Sequence, residues 1–253
     1  MRTAIISDIH ANLEALRVVL DDIDQRSVDR IICLGDVLGY GPNPVECVDL
    51  VTERCEWSLM GNHDFGVLYE PTNFNLAAEQ AAYWTRSRFD DESDRSAAAR
   101  RWEFLGRLRV RVGFGEFLCV HGTPRRPINE YLFPEDALNS PVKMQQIFER
   151  VDRFCLVGHT HVPGVFTDEP DFYPPDDLDG VYALNENEKA IINPGSVGQP
   201  RDLDPRSSYA ILDEERRQIE FTRLPYDVEA TVSKIKAVPE LTDWLGERLR
   251  EGR

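Results

Sequence analysis

Short apolar runs alternate with amphipathic segments over the first sixty residues. Residues 3–7 have the length of a buried strand, and the leucines and isoleucine of residues 13–23 recur at the spacing of one helix face. Residues 30–34 and 45–51 repeat this unit, and a third apolar run follows at residues 57–60. This order predicts an α/β protein with a mostly parallel sheet, whose ligands bind beyond the carboxyl ends of the strands.

The remaining pattern predicts further strands and two helical segments. Apolar runs indicate strands at residues 116–120, 154–157, 165–166, 181–184, 190–192, 208–213 and 218–224. The sequence from about 75 to 106 predicts helices that pack on the sheet, with a cap over a site as the alternative. A C-terminal helix is expected at about 227–250, interrupted by Pro239. No repeat or linker divides the chain, so we expect 1–253 to be a single domain.

Composition and charge narrow the class of protein. The formal net charge of −16 argues against binding of long nucleic acids, which requires basic residues to neutralise phosphates. No apolar run approaches the roughly 18 residues of a membrane helix, and the first residues lack a signal-peptide core. We therefore expect a cytoplasmic protein without a membrane partner. The five cysteines, an odd number without a C-x-x-C motif, are interpreted as buried reduced thiols.

All five histidines lie in short polar segments that directly follow an apolar run. They are His10, His63, His121, His159 and His161. Three carboxylates and an amide occupy the same kind of position, namely Asp8, Asp36, Asp64 and Asn62. Each segment alone is also compatible with an ordinary turn. Because parallel strands end at one edge of a sheet, the segments together predict that these side chains converge on a single site.

Histidine, carboxylate and amide ligands without cysteine indicate a site for transition metals. Such a set suits Mn²⁺, Fe, Zn²⁺, Co²⁺ or Ni²⁺ better than Ca²⁺ or Mg²⁺. The ligands are too many for one ion and fit two ions about 3.5–4 Å apart, bridged by a carboxylate. A pair of this kind activates water to hydroxide and neutralises phosphate oxygens. A further histidine nearby could protonate the leaving group.

The ordered motifs resemble those of the calcineurin-like metallophosphoesterase superfamily. The motifs are D-x-H at 8–10, G-D at 35–36, G-N-H-D at 61–64, H-G at 121–122 and G-H-T-H at 158–161. Residues 35–44 and 193–201 further resemble its small bacterial and archaeal phosphodiesterase branch. The resemblance implies a four-layer α/β/β/α sandwich of two mixed β-sheets, with a dinuclear site at their edge.

The resemblance also implies a role for each residue. Asp8, His10, Asp36 and His161 would bind the first metal ion, and Asp36, Asn62, His121 and His159 the second, with Asp36 bridging. His63 would be the general acid or stabilise the transition state, and Asp64 would support the site without binding metal.

One departure from the superfamily concerns the phosphate clamp. Its protein Ser/Thr phosphatases read G-D-x-x-D-R-G, whereas this chain has Gly39-Tyr40-Gly41 in place of D-R-G. This argues against an efficient phosphoprotein phosphatase. The phosphate-binding group is left open, with Arg125, Arg126 and Arg201 as candidates and surface solvation as the alternative.

The expected function is a dinuclear metal-dependent phosphodiesterase that uses a metal-bridging hydroxide as nucleophile and acts on a small phosphorylated substrate, with Mn²⁺ as the expected metal. A phosphomonoesterase and a dinucleotide polyphosphate hydrolase are alternatives, since Tyr40, Tyr83 and Trp84 could stack a nucleobase if they are not core residues. A non-catalytic interaction scaffold is a third possibility.

Overall fold

The computed structural model describes residues 1–253 and contains twelve strands and nine α-helices. The strands are β1 (Arg2–Ile6), β2 (Arg30–Cys33), β3 (Trp57–Ser58), β4 (Arg111–Phe114), β5 (Phe117–Val120), β6 (Phe154–Leu156), β7 (Gly164–Thr167), β8 (Asp171–Tyr173), β9 (Val181–Ala183), β10 (Ala190–Asn193), β11 (Ser207–Asp213) and β12 (Gln218–Leu224). The helices are α1 (Leu13–Asp24), α2 (Pro44–Arg54), α3 (Asn62–Leu68), α4 (Leu76–Asp90), α5 (Arg95–Arg107), α6 (Asp136–Asn139), α7 (Pro141–Phe148), α8 (Val228–Lys236) and α9 (Asp243–Glu247). Two short 3₁₀ helices span Pro175–Leu178 and Arg248–Glu251.

The strands form two mixed six-stranded sheets. The first has the order β3-β2-β1-β11-β12-β9, in which β1, β2 and β3 run parallel and the other pairs are antiparallel. The second has the order β4-β5-β6-β10-β7-β8, in which β5, β6 and β10 run parallel. Each sheet therefore brings three parallel strand ends to one edge.

The buried side chains fall into layers that explain the sandwich. Successive residues of a strand point to opposite faces, so Ala4 and Ile6 of β1 pack with α1 and α2 while Ile5 faces the other sheet. Leu156 of β6 joins Ile5 in the core between the sheets. The outer face of the second sheet is covered by α7, through Ile147 and its neighbours. This arrangement confirms the predicted four-layer α/β/β/α fold.

Two segments differ in detail from the sequence-based expectation. The sequence places the G-N-H-D motif among the short polar segments that follow apolar runs, and the structure shows that Asn62 starts α3, with Gly61 as its N-cap. The hydrophobic pattern of the sequence does not reveal a helix as short as the seven residues of α3. The segment expected as a helix at about 227–250 consists of α8, α9 and a 3₁₀ turn.

Helices α4 and α5 occupy the segment expected to be helical at about 75–106. Ala82 and Phe89 of α4 and Leu105 of α5 pack in the core cluster that covers the first sheet. Only the start of α4, at Ala78, borders the cavity described below. None of the helices is long and apolar enough to cross a membrane.

Truncation of a side chain between the sheets should destabilise the whole fold. Leu156 is fully buried there, so we expect Leu156→Ala to lower the free energy of unfolding by about 2–5 kcal/mol in urea denaturation. Leu138→Ala is the matched control, because Leu138 is 77% exposed. Equal effects of the two substitutions would contradict the assignment of the inter-sheet core.

Candidate metal centre

The structure brings all seven predicted ligands to the shared edge of the two sheets. Asp8, His10, Asp36 and Asn62 follow β1, β2 and β3 of the first sheet, and His121, His159 and His161 follow β5 and β6 of the second. Ligand atoms of Asp8, His10 and His161 lie within 4.8 Å of one another, as do those of Asp36, His121 and His159. Two neighbouring clusters therefore correspond to the two expected metal sites.

Asp36 lies between the two clusters. Its Oδ2 atom is 3.7 Å from His10 Nε2 and 3.3 Å from His121 Nε2. Its Oδ1 accepts a hydrogen bond of 2.8 Å from the backbone N–H of His63. One carboxylate oxygen is thus held by the start of α3, and the other faces both clusters, as a bridging ligand requires.

Backbone carbonyl groups orient three of the histidines. The Nδ1 atoms of His10, His121 and His161 lie 3.0, 2.9 and 2.6 Å from the carbonyl oxygens of Leu38, Leu34 and Gln199. A carbonyl oxygen only accepts hydrogen bonds, so each Nδ1 carries the proton. Nε2 is therefore the ring nitrogen that faces the site, and in the neutral imidazole it is the one with a lone pair, the arrangement usual for histidine ligands of metals.

Several buried polar atoms at the site have no hydrogen-bond partner within the protein. Four of them belong to predicted ligands, namely Asp36 Oδ2, Asn62 Oδ1, His121 Nε2 and His159 Nε2, and two others are His63 Nδ1 and Ser7 Oγ. A buried polar atom without a partner is costly. This donor set fits two divalent transition-metal ions, since each of the four unpaired atoms of the predicted ligands is a good ligand atom for such ions.

Five predicted ligands have a left-handed backbone conformation that non-glycine residues rarely adopt. They are Asp8, His10, Asp36, His159 and His161, with φ angles of 54°, 48°, 53°, 68° and 63°. Such conformations cost of order 1–3 kcal/mol each and concentrate at functional sites. They turn the chain sharply after each strand, which aims neighbouring side chains inward.

Glycines allow the strand ends to approach one another. A Cβ atom on Gly61 would lie 2.0 Å from Asp36 Oδ1, and one on Gly158 would lie 2.7 Å from Asp8 Oδ2. The glycines of G-N-H-D and G-H-T-H are therefore required by the approach of the metal-binding carboxylates.

The segment after β10 supports the centre from outside. Ser196 Oγ donates a hydrogen bond of 2.8 Å to the backbone carbonyl of Asp8, and the side-chain amide of Asn193 donates to Gly158 and Thr160 at 2.8 and 2.9 Å. The N-P-G-S motif thus links the strand ends of both sheets. The sequence shows the motif, but only the tertiary contacts reveal this supporting role.

His63 lies beside the clusters in an aromatic environment. The centroid of its ring is 4.3 Å from that of Tyr40, 4.7 Å from that of Phe74 and 4.9 Å from that of His10. Its Nδ1 atom has no hydrogen-bond partner, and a Cβ on Gly39 would lie 2.3 Å from this atom. Gly39 brings no side chain to this atom, so packing on the rings orients His63.

Asp64 supports the start of α3. Its Oδ2 accepts a hydrogen bond from the backbone N–H of Gly61 and its Oδ1 one from Leu38, both at 3.1 Å. It therefore connects the loop after β2 with the G-N-H-D motif. Burial, together with the charge of Asp36, raises the pKa of Asp64 to about 7.

The electrostatics of the site favour bound positive charge. Burial alone would raise the pKa of Asp8 and Asp36, but the nearby histidines hold both pKa values below the ordinary range. Burial disfavours the charged form of His121, yet Asp36 and Asp8 raise its pKa to about 9. Burial lowers the pKa of His63 to about 4 despite Asp36. The two buried carboxylates thus attract cations into the centre.

The candidate arginines differ in their surroundings. Arg125 is bound to Glu130 through Nε at 3.0 and 3.1 Å and to Gln146 at 2.6 Å. Arg125 is therefore occupied by Glu130 and Gln146. The sequence alone could not show that Glu130 would neutralise it. Arg126 is exposed. Arg201, by contrast, has its guanidinium carbon 5.9 Å from the centroid of the Tyr40 ring.

An open cavity of about 250 Å³ adjoins the centre. Asn62, His63 and His159 form its inner wall, and aromatic and amide side chains surround the rest, among them Phe65, Phe74, Asn75, Asn129 and Tyr131. Tyr131 stacks on His159 with ring centroids 3.8 Å apart. Of the aromatics expected to be able to stack a nucleobase, only Tyr40 lines this cavity; Tyr83 and Trp84 do not.

The fold and the paired clusters are those of a metallophosphoesterase, and comparison with known proteins agrees. Residues 1–217 match the model of the calcineurin-like phosphoesterase superfamily domain. The chain belongs to this superfamily, which confirms the family interpretation of the sequence motifs.

Similar proteins match along their whole length. An uncharacterized protein of Methanocaldococcus jannaschii, MJ0912, is 39% identical over 99% of this chain and 98% of its own. The crystal structure of a metallophosphoesterase from Sphaerobacter thermophilus is 38% identical, with a TM-score of 0.84 over 100% of this chain and 99% of its own. The hypothetical protein PH1004 from Pyrococcus horikoshii OT3, 16% identical, shares the fold with a TM-score of 0.78, over 100% of this chain and 98% of its own.

A methyl group at position 61 should disrupt the centre. In Gly61→Ala the new Cβ meets the Asp36 carboxylate at 2.0 Å, so Asp36 must move. We expect Mn²⁺ affinity to fall about 10- to 100-fold, the size of effect seen when the support of a metal ligand is lost. Calorimetric titration measures this change, and circular dichroism checks the fold.

Gly106→Ala is the matched control, because a Cβ there meets nothing within 4 Å. It should bind Mn²⁺ like the unaltered protein. Unchanged affinity in Gly61→Ala would show that Asp36 does not need its observed position.

Proposed function

We propose that this protein is a dinuclear metal-dependent phosphodiesterase. The observation that carries the proposal is the pair of ligand clusters with Asp36 between them, with His63 beside them and an open cavity next to His63. In this proposal Asp8, His10, Asp36 and His161 hold one ion, and Asp36, Asn62, His121 and His159 hold the other. Mn²⁺ is the proposed metal, with Fe, Zn²⁺, Co²⁺ and Ni²⁺ as alternatives of the same ligand preference.

The bound ions would supply an activated water molecule and neutralise the charge of the phosphate oxygens. The protein's own contribution is to fix the ligands before substrate arrives. The carbonyl groups of Leu34, Leu38 and Gln199 orient three histidines, and the start of α3 holds Asp36. Ligands held in this way do not need to reorganise during the reaction, which favours stabilisation of the transition state.

His63 is proposed to act as the general acid or to stabilise the transition state, and the second role suits the neutral imidazole, since burial lowers the pKa of His63 to about 4. Its ring lies in the wall of the cavity and next to His10, between the metal clusters and bulk solvent. Tyr40 and Phe74 pack on the ring and restrict its rotation. General-acid catalysis of this kind contributes about 10²- to 10⁴-fold to the rate.

The cavity supports a diester rather than a monoester as substrate. A phosphodiester carries a second substituent, which needs space beside the reacting phosphorus. The cavity of about 250 Å³, open to solvent and lined by Phe74, Tyr131 and Asn129, provides this space next to His63. Its rings and amides would suit an aromatic or nucleoside substituent, which keeps dinucleotide polyphosphate hydrolysis as a second candidate.

Removal of the His63 imidazole should separate catalysis from metal binding. We expect His63→Ala to lower kcat for bis-p-nitrophenyl phosphate in Mn²⁺ by about 10²- to 10⁴-fold. Its metal content should stay at two ions per chain, because His63 is not a proposed ligand. Asp36→Asn, the comparison variant, should lose both metal and activity. Full activity of His63→Ala, or equal activity of the unaltered protein with and without chelator, would refute the mechanism.

A substrate panel decides between the candidate activities. Rates with bis-p-nitrophenyl phosphate, p-nitrophenyl phosphate and diadenosine tetraphosphate should be compared at equal Mn²⁺ concentration. The diester should have a higher kcat/KM than the monoester. A higher value for the monoester would replace the phosphodiesterase assignment, a higher value for the polyphosphate than for the diester would favour the dinucleotide polyphosphate hydrolase, and no turnover with any divalent ion would favour a non-catalytic scaffold.

A further inference from the structure

Two arginines lie beside Tyr40 without an Asp or Glu side chain as partner. The guanidinium carbon of Arg201 is 5.9 Å, and that of Arg248 is 6.0 Å, from the centroid of the Tyr40 ring. That ring in turn packs on His63 and His10 at 4.3 and 4.8 Å between centroids. Arg201 and Arg248 are therefore separated from the reacting region by one aromatic side chain.

The two arginines differ in their contacts. Arg201 donates to the neutral side-chain oxygen of Gln199 at 3.2 and 2.6 Å. Arg248 donates through Nε to the main-chain oxygen of Arg253, the last residue of the printed sequence, and its guanidinium carbon lies 4.5 Å from the ring centroid of Trp244. Neither forms an ion pair with an Asp or Glu side chain within 4.0 Å, although the chain carries many more acidic than basic residues.

The neighbouring acids are already neutralised by other arginines. Asp202 pairs with Arg223, and Asp204 pairs with Arg206 at 2.6 Å. The loop that carries Arg201 therefore has two carboxylates within three residues, and both are engaged elsewhere. Neither Arg201 nor Arg248 is therefore paired with a carboxylate side chain.

Packing places Arg248 at this position. Leu245 and Leu249, which flank it, belong to the same buried cluster as Tyr40. The backbone N–H of Leu203 donates at 3.0 Å to the carbonyl of Gly252, which joins the last turn to the loop containing Arg201. Burial and the charge of Arg201 lower the pKa of Arg248 to about 10, so Arg248 remains charged near neutral pH.

We propose that Arg201 and Arg248 form a second anion-binding subsite, which takes a phosphate group of the substrate other than the one attacked at the metal centre. The proposal rests on the proposed function and narrows its substrate class to compounds with at least two phosphate groups. Guanidinium groups suit this role, because their planar forks bind phosphate oxygens through charge-assisted hydrogen bonds. Tyr40 and Trp244 hold the stems in place, so little side-chain freedom is lost on binding.

Binding of pyrophosphate to the metal-free protein tests the subsite independently of catalysis. Trp244 contacts Arg248, so its fluorescence should report an anion bound there, and Trp244→Phe should remove the signal. With chelator present, pyrophosphate should bind the unaltered protein more tightly than orthophosphate. Arg248→Gln and Arg201→Gln should each weaken pyrophosphate binding by about tenfold.

Two further variants separate a binding role from a structural one. Arg250→Gln is the matched control, because Arg250 lies two residues away and is exposed and paired with Glu229 at 2.7 and 2.8 Å. It should bind pyrophosphate like the unaltered protein. Arg248→Lys keeps the charge and should retain part of the affinity, whereas a purely structural role would be lost equally in both Arg248 variants. Unaltered binding in Arg248→Gln, or equal loss in Arg250→Gln, would overturn the subsite.

Inhibition of the metal-loaded enzyme connects the subsite with catalysis. During hydrolysis of bis-p-nitrophenyl phosphate at fixed free Mn²⁺, methylenebisphosphonate should inhibit more strongly than orthophosphate. Arg248→Gln should lower the ratio of the affinity for methylenebisphosphonate to the affinity for orthophosphate about tenfold. An unchanged ratio would overturn the link to the reacting centre. If no metal supports hydrolysis, the proposed function fails, while the fluorescence titration still decides whether the subsite exists.

Discussion

Two carboxylates without access to water, Asp8 and Asp36, determine how the strand ends must be arranged. Burying an ionised carboxylate is expensive unless hydrogen bonds and opposite charge compensate it. The protein supplies backbone N–H groups for this purpose, from His159 to Asp8 at 3.1 Å and from His63 to Asp36 at 2.8 Å. Holding two negative charges away from water explains three features of the site. They are the glycines that let these amides approach, the left-handed turns after the strands, and the histidines around the carboxylates.

This requirement also explains why the start of α3 matters. Asp36 is held by an amide at the N-terminal end of this short helix, where unpaired N–H groups are available. His63 contributes its backbone to Asp36 and its side chain to the proposed chemistry, so one residue fixes the bridging carboxylate and faces the cavity. Movement of α3 would change both features together.

The sequence predicts the fold and the convergence of the metal ligands, because parallel strands place their carboxyl ends along one edge. Histidines that follow strands could therefore be grouped without knowing the register. The surroundings of the arginines could not be predicted. Arg125 is neutralised by Glu130 and Arg248 is brought to Tyr40 by Leu245 and Leu249. The first depends on a local ion pair that composition does not reveal. The second depends on packing between segments that are distant in sequence.

The predicted metal ligands come from both sheets, so bound ions would connect the two sheets. One cluster combines Asp8 and His10 from the first sheet with His161 from the second, and the other combines Asp36 with His121 and His159. Ions that bind only when the sheets are docked act as a cross-link between the two halves of the sandwich. At a free concentration of 100 times the Kd, one such ion adds about 2.7 kcal/mol to the stability of the docked state. The concentration of free metal would then set part of the stability of the folded protein.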